Sequence, residues 1–152
     1  DAFDKVLAQV RDLVRRGDPF EKARAIAAVG DLRDREALSA LVDLLGTRPK
    51  DLAEKARTAL VDITKQDFGT AERRWRAWIA DNEKTPRTRW LIEGLAAKDD
   101  DIRRSAQNEL NRMTGQFFGY RWDAPRTDRE LSLAQWQDWW ATQQKDGQRR
   151  WP

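Results

Sequence analysis

The chain has 152 residues, of which 39% are hydrophobic and 36% are charged, and its formal net charge is +3. This length fits one compact domain or a short repeat array, and the apolar content, with eight Trp, is sufficient for a packed core. The chain contains no Cys and no His, which excludes disulfides, catalytic thiols and imidazoles, and metal sites built on thiolate or imidazole ligands.

Apolar residues recur at three- and four-residue spacing along the chain, and this periodicity predicts eight helices and no strand. The first helix carries a stripe that consists of Phe3, Val6, Leu7, Val10, Leu13 and Val14. The sequence RRGDP then ends it at Gly17, and Asp18 and Pro19 are the expected N-cap and first residue of the second helix. Glu21 completes a capping-box pattern with Asp18.

The remaining helices are predicted from the same apolar spacing, with Gly where a helix ends and Asp or Pro where the next one begins. Two of them carry tryptophans spaced by three residues, which places both indoles of the pair on one face of the helix. The predicted helix pairs are 3–30, 35–65 and 86–114, and the extra tryptophan-bearing helices are 71–82 and 128–143.

Two stretches of the chain are nearly identical, ITKQDFG at 63–69 and MTGQFFG at 113–119. A shift of 50 residues aligns both these loops and the helices that precede them. Helix pairs that recur at such a period predict an α-solenoid, in which each pair buries its apolar stripe against its neighbours.

The segments KARAIAAVGDLRDREALSALVDLL and DDDIRRSAQNEL resemble HEAT-like repeats of the short bacterial type called PBS-lyase-like. The resemblance rests on the patterns A-x-x-A-x-x-x-G-D and D-I-R-x-x-A-x-x-x-L, and it covers most of residues 18–142. The tails with W-x-x-W look like an extension found in some bacterial HEAT-repeat proteins. The resemblance implies an all-α fold, a short solenoid of helical hairpins with extra Trp-bearing helices, forming a single domain over residues 1–152. It does not imply one function, because such arrays serve many roles.

The repeated loop and its tryptophans are predicted to be structural. We expect the glutamine amides to satisfy carbonyls at the helix end, the phenylalanines to fold back onto the core, and the glycines to adopt positive φ. The tryptophans are expected to be buried, although an aromatic binding cage is the alternative. The residues concerned are Gln66, Phe68, Gly69, Trp75 and Trp78 in the first copy and Gln116, Phe118, Gly119, Trp136 and Trp139 in the second.

The second copy differs from the first by an insertion, YRWDAPRTDREL, that precedes its tryptophan helix. Tyr120, Arg121, Trp122 and Arg126 are of the types that dominate interface hot spots, so we predict them as binding residues. The alternative is a lid in which Trp122 covers the last helix pair. The sequence does not decide between the two interpretations.

Two charged clusters have simpler interpretations than a functional site. ERRWRAW at 72–78 interleaves arginines with tryptophans, but helical spacing turns the arginines towards solvent. The three aspartates of KDDDIRR, at 99–101, suit a helix N-terminus better than a cation site. No metal site and no cofactor are predicted.

The sequence favours a non-catalytic protein–protein interaction scaffold. The alternative is a nucleic-acid-binding HEAT-like module of the DNA-repair type, which the even mixture of positive and negative residues disfavours. A lyase or chromophore-handling role, implied only by the name of the repeat type, is the least favoured because no acid–base pair is visible. No apolar run is long enough to span a bilayer. The chain begins at Asp1, which indicates processing or trimming and leaves cytoplasm and periplasm both open.

Overall fold

A computed structural model describes residues 1–147 and 150–152, and in these residues every regular element is helical. The predicted all-α class is therefore confirmed, whereas the solenoid arrangement and the HEAT assignment stay predictions. The helices are α1 (Ala2–Arg16), α2 (Pro19–Asp31), α3 (Leu38–Asp43), α4 (Lys50–Thr64), α5 (Glu72–Asn82), α6 (Arg87–Gly94), α7 (Asp100–Thr114) and α8 (Arg126–Asp146), with a short 3-10 turn at Arg35–Ala37. None of the described helices is both long and apolar enough to cross a membrane.

Helix starts are fixed by the capping residues that the sequence indicates. Asp18 Oδ1 accepts from the backbone N–H of Glu21 at 2.8 Å, and Glu21 Oε1 accepts from the N–H of Asp18 at 3.0 Å. This is the predicted capping box at the start of α2. Asp99 Oδ1 accepts in the same way from Asp101 and Ile102, so α7 also begins with a satisfied first turn.

The chain divides into two compact units. The first comprises Asp1–Ile63 and Asp67–Glu83. Within it, Arg11 of α1 forms a two-bond pair with Asp34, with atoms 2.6 and 2.8 Å apart, which fixes α1 against the turn before α3.

The apolar stripe of α1 is only partly covered. Val14 is fully buried, but Phe3 and Val6 are each 56% exposed. The reason is that α1 packs against α2 and α3 along one side only, so a stripe wider than that contact extends into solvent.

The second unit comprises Thr64–Gln66 and Lys84–Pro152. Its core draws on α6, α7, α8 and the insertion, and its buried members are Leu91, Ile92, Leu95, Ala106, Leu110, Tyr120 and Trp136. The last residues of the chain close this core. Trp151 packs its ring 5.2 Å from that of Trp139, and the Pro152 carbonyl accepts from the backbone N–H and the hydroxyl of Thr88 at 2.9 and 2.8 Å.

Gly94 lies where α6 approaches its neighbours too closely for a side chain. A Cβ at this position would lie 2.8 Å from Cβ of Lys65 and 3.1 Å from Cβ of Ala106. We therefore expect Gly94→Ala to lower the free energy of unfolding by about 1–3 kcal/mol, since overpacking outweighs the gain in helix propensity.

Gly46→Ala is the matched control, because a Cβ there meets nothing within 4 Å. Urea denaturation of both variants measures the difference. Equal stability of the two variants would contradict close packing at Gly94.

Candidate functional site

The two copies of the repeated loop have the same aromatic geometry. The rings of Phe68 and Trp75 meet edge to face with centroids 4.9 Å apart, and those of Phe118 and Trp136 do so at the same distance. Trp75 is 0% exposed and Trp136 is 1% exposed. Indoles buried this deeply are out of reach of a ligand, so the geometry supports packing rather than a binding cage.

The glycines of the motif adopt the expected backbone conformation. Gly69 has φ +61° and Gly119 has φ +69°, in the left-handed region that favours glycine. The carbonyl of Gly69 also accepts from Trp75 Nε1 at 2.9 Å, so the turn provides the hydrogen-bond acceptor for the N–H of this buried indole.

At these two turns the threonine hydroxyls of the motif form the side-chain hydrogen bonds, in place of the glutamine-to-carbonyl bonds that we expected. Thr64 Oγ1 accepts from the backbone N–H of Gln66 at 3.1 Å, and Thr114 Oγ1 accepts from that of Gln116 at 3.0 Å. The glutamines thus contribute their backbone N–H groups to these turns. A hydroxyl two residues before the donor has the shorter reach that such a turn needs.

Trp75 and Trp78 differ in burial although both belong to the W-x-x-W pair, because Trp75 is fully buried and Trp78 is half-buried. We expect Trp75→Ala to lower the free energy of unfolding by about 3–5 kcal/mol, and Trp78→Ala by about half as much. Urea denaturation followed by circular dichroism measures both. A larger loss for Trp78→Ala would contradict the structural role that we predict for Trp75.

Tyr120, predicted as a binding residue, lies in the core of the second unit. It is 1% exposed, and its hydroxyl donates to the carbonyl of Leu95 at 2.6 Å. Burial raises the pKa of its phenol. Tyr120 therefore cannot contact a partner, because the loop turns inwards directly after Gly119.

Trp122 behaves as the lid alternative predicts. It is half-buried against the core, and its backbone N–H donates to Gln107 Oε1 at 2.8 Å. Its carbonyl accepts from Arg103 Nε at 3.0 Å. The backbone N–H and the carbonyl of Trp122 thus both bind side chains of α7 and attach the insertion to this helix.

Arg103 is the residue that organises the base of the insertion. Besides Trp122, its guanidinium donates to the carbonyls of Ala97 and Lys98 at 2.9 and 2.8 Å, and it pairs with Asp100. These contacts hold the α6–α7 turn and the insertion in one fixed arrangement. The D-I-R pattern pointed to this position, but its spacing did not reveal the carbonyls that the arginine binds.

A pocket of about 450 Å³ lies between the α6–α7 turn and the first two turns of α8. Four cations and one carboxylate line it together with apolar side chains. The charged residues are Lys98, Arg103, Arg126, Arg129 and Glu130, and the apolar ones are Leu95, Ala96, Ala97 and Leu133. We call it the cationic pocket.

Two of the predicted binding residues remain at the surface. Arg121 and Arg126 have side chains that are 71% and 83% exposed. Arg126 Nε lies 2.9 Å from Glu130 Oε1 on the same helix. The two arginines line different cavities, since Arg126 faces the cationic pocket and Arg121 does not.

A groove of about 460 Å³ lies between α2 and α4 in the first unit and has the opposite charge. Four carboxylates and one lysine line its rim, above a floor of small and apolar residues. The rim residues are Asp31, Asp51, Glu54, Asp62 and Lys55, and the floor residues are Ala23, Ile26, Ala27, Gly30 and Ala59. We call it the acidic groove.

Three charged residues form a buried cluster in the second unit. Lys65 Nζ lies 2.5 Å from Glu109 Oε2 and 2.6 Å from Ser105 Oγ, and Arg87 Nη1 lies 2.9 Å from Glu109 Oε1. Burial alone would raise the pKa of Glu109, but the hydrogen bonds and positive charges of Arg87 and Lys65 outweigh it and lower the pKa from 4.5 to about 2. That direction suits an ion pair and not a general acid.

The lowered pKa of Glu109 predicts that the free energy of unfolding changes with pH in the acidic range. Its ionised form stabilises the fold fully above pH 4.5, and this contribution is lost as the pH falls from 4.5 towards 2. We expect Glu109→Gln to lower the free energy of unfolding by about 3 kcal/mol at pH 7, and the gap to shrink towards pH 2.

Glu130→Gln, the same change at an exposed site, is the control and should leave stability almost unchanged. Urea denaturation across this pH range measures both variants. A gap for Glu109→Gln that stays constant with pH would contradict the ion-pair assignment.

The other charged clusters are occupied by local partners. Asp99 caps α7, whereas Asp100 and Asp101 pair with Arg103 and Arg104. Within residues 1–147 and 150–152, no three carboxylates converge as a metal site requires.

Comparison of the sequence with protein-family models and with curated proteins, and of the structure with solved structures, finds no significant match.

Proposed function

We propose that this protein is a non-catalytic protein-binding scaffold of HEAT-like helical hairpins, and that the acidic groove holds a basic helical segment of a partner protein. The observation that supports this proposal is the combination, in one groove, of a floor of small side chains with a rim of carboxylates.

The floor of the groove permits the close approach of a partner helix. A Cβ on Gly30 would lie 3.2 Å from Cβ of Ala59, so α2 and α4 already approach each other closely at the base of the groove. Ala27 is exposed above this contact. Because these side chains are small, a partner helix with apolar residues at three- and four-residue spacing can rest against both helices.

The rim of the groove favours a cationic partner. Two of its carboxylates make long, exposed contacts with the chain's own cations, Lys55 Nζ to Asp51 Oδ2 at 3.8 Å and Arg57 Nη1 to Glu54 Oε2 at 3.7 Å. Exposed pairs of this kind contribute little to stability, so lysines or arginines of a partner can replace them at low cost. Complementary charge then increases both the rate and the selectivity of association.

The nucleic-acid alternative has less support. Of the arginines in ERRWRAW, Arg74 lies over the ring of Phe68 and Arg76 pairs with Asp43 and Glu72. Phosphate binding would have to compete with these contacts, and the carboxylates of the acidic groove would repel a phosphate backbone.

A synthetic amphipathic helix with lysines on its polar face is a suitable probe of the groove. We expect saturable binding by isothermal titration calorimetry, weakened by salt, and about tenfold weaker binding for Glu54→Lys, because reversal replaces an attraction with a repulsion.

Asp12→Lys is the matched control: it makes the same change in net charge on the exposed side of α1, outside the groove. The same peptide with glutamates in place of lysines should not bind. Equal losses for Asp12→Lys and Glu54→Lys, or binding of the glutamate peptide, would refute the proposal.

A further inference from the structure

We infer that the cationic pocket of the second unit is a binding site for an organic carboxylate that carries a short apolar body. The inference is independent of the proposed role of the acidic groove. It rests on the charge, the apolar walls and the fixed arginines of the pocket.

The pocket has a formal excess of three positive charges, since four cations and one carboxylate line it. Arg103 is already paired with Asp100, so its charge is largely balanced. Lys98 and Arg129 have no carboxylate partner among the described residues. An anion that enters the pocket therefore meets cations that the protein itself leaves uncompensated.

Arg129 is held in place before any ligand arrives. Its Nε–H donates to the carbonyl of Ala124 at 3.0 Å, and the residue is half-buried. The guanidinium carries further N–H donors on its terminal nitrogens, and a planar fork of such donors matches the two oxygens of a carboxylate. A side chain fixed in this way loses little conformational entropy on binding.

The walls of the pocket indicate what the anion is attached to. Leu95, Ala96, Ala97 and Leu133 line the same cavity, so a fully hydrated inorganic ion would leave apolar surface without a partner. The volume of about 450 Å³ lies within the range of small-molecule sites. A carboxylate joined to a short hydrocarbon satisfies both the cations and the walls.

The negative charge of Glu130 disfavours binding of an anionic ligand in the pocket. Among the described residues it is the only carboxylate that lines the pocket, and it pairs with Arg126 across one helical turn at 2.9 Å. Both side chains are largely exposed, so this pair is weak and can open. A ligand carboxylate takes the place of Glu130 at Arg126, and removal of the Glu130 charge therefore favours binding.

Octanoate is the probe, and nuclear magnetic resonance titration of the whole chain gives its Kd. We expect saturable binding that is about tenfold weaker in Arg129→Gln and about threefold weaker in Arg126→Gln. Glu130→Gln should bind about twofold to threefold more tightly.

Arg121→Gln is the matched control, since Arg121 is an exposed arginine of the same insertion that does not line the pocket. It should bind octanoate as the unchanged protein does. Thermal unfolding of every variant verifies folding, and Glu130→Gln keeps the test decisive if Arg129→Gln proves unstable.

Two related probes separate the roles of the charge and the hydrocarbon. Octanamide, which lacks the charge, and acetate, which lacks the hydrocarbon, should both bind more weakly than octanoate. A short peptide that ends in leucine with a free carboxylate shares the chemistry. Its preference over octanoate would assign the carboxylate to a chain end, and the opposite preference would assign it to a free acid. Either preference supports the site.

Several results would overturn the inference. The inference is wrong if neither octanoate nor the leucine peptide binds saturably, or if octanoate binds no more tightly than octanamide or acetate. It is also wrong if Arg121→Gln weakens the binding of octanoate as much as Arg126→Gln does. Weaker binding in Glu130→Gln would also overturn it, because the variant only removes a competing negative charge.

Discussion

The second unit depends on a single carboxylate held between two cations. Glu109 joins Arg87 of α6 and Lys65 to α7, and none of these charges is accessible enough to be satisfied by water alone. Loss of one member would leave a buried charge without a partner, which costs more than loss of an exposed pair. The cluster also accounts for a strained backbone: Lys65 has φ +59°, whereas its counterpart in the second copy is Gly115 at φ +69°. A lysine tolerates this conformation because its side chain contributes a buried ion pair.

The repeated loop keeps several local features in both copies, although the segments that follow it differ. The positive φ of its glycine and the edge-to-face contact of its aromatic pair recur in both copies. The turn itself is shifted by one residue, since the N–H of Ala71 donates to the carbonyl of Phe68 in the first copy and the N–H of Tyr120 donates to that of Phe117 in the second. The segment after the loop depends on distant partners. In the second copy the insertion is secured by Tyr120 to the carbonyl of Leu95 and by Arg103 to that of Trp122. Leu95 and Arg103, which take part in these contacts, also line the cationic pocket, so the insertion and the candidate binding site share two residues.

The helices, their caps and the positive φ of Gly69 and Gly119 could be predicted from the sequence, because short-range spacing and backbone sterics decide them. The burial of Tyr120 and Lys65 could not. Each is placed by a partner at least 25 residues away, and residue type alone favours exposure for a lysine or a hot-spot role for a tyrosine. The cationic pocket was missed for the same reason. Among its lining residues only Arg126 was predicted as a binding residue, whereas Lys98 and Arg129 become neighbours through the packing of α8 on α6.

The closure of the second unit by Trp151 has an optical consequence. Trp139 lies within 5.2–6.4 Å of three other indoles, those of Trp136, Trp140 and Trp151. Rings at such separations couple their excited states and transfer energy among themselves, whereas Trp75 and Trp78 belong to the other unit. The near-ultraviolet dichroism and the fluorescence of the protein therefore contain an intrinsic signal from the indole cluster, so the opening of the second unit can be followed without an added label.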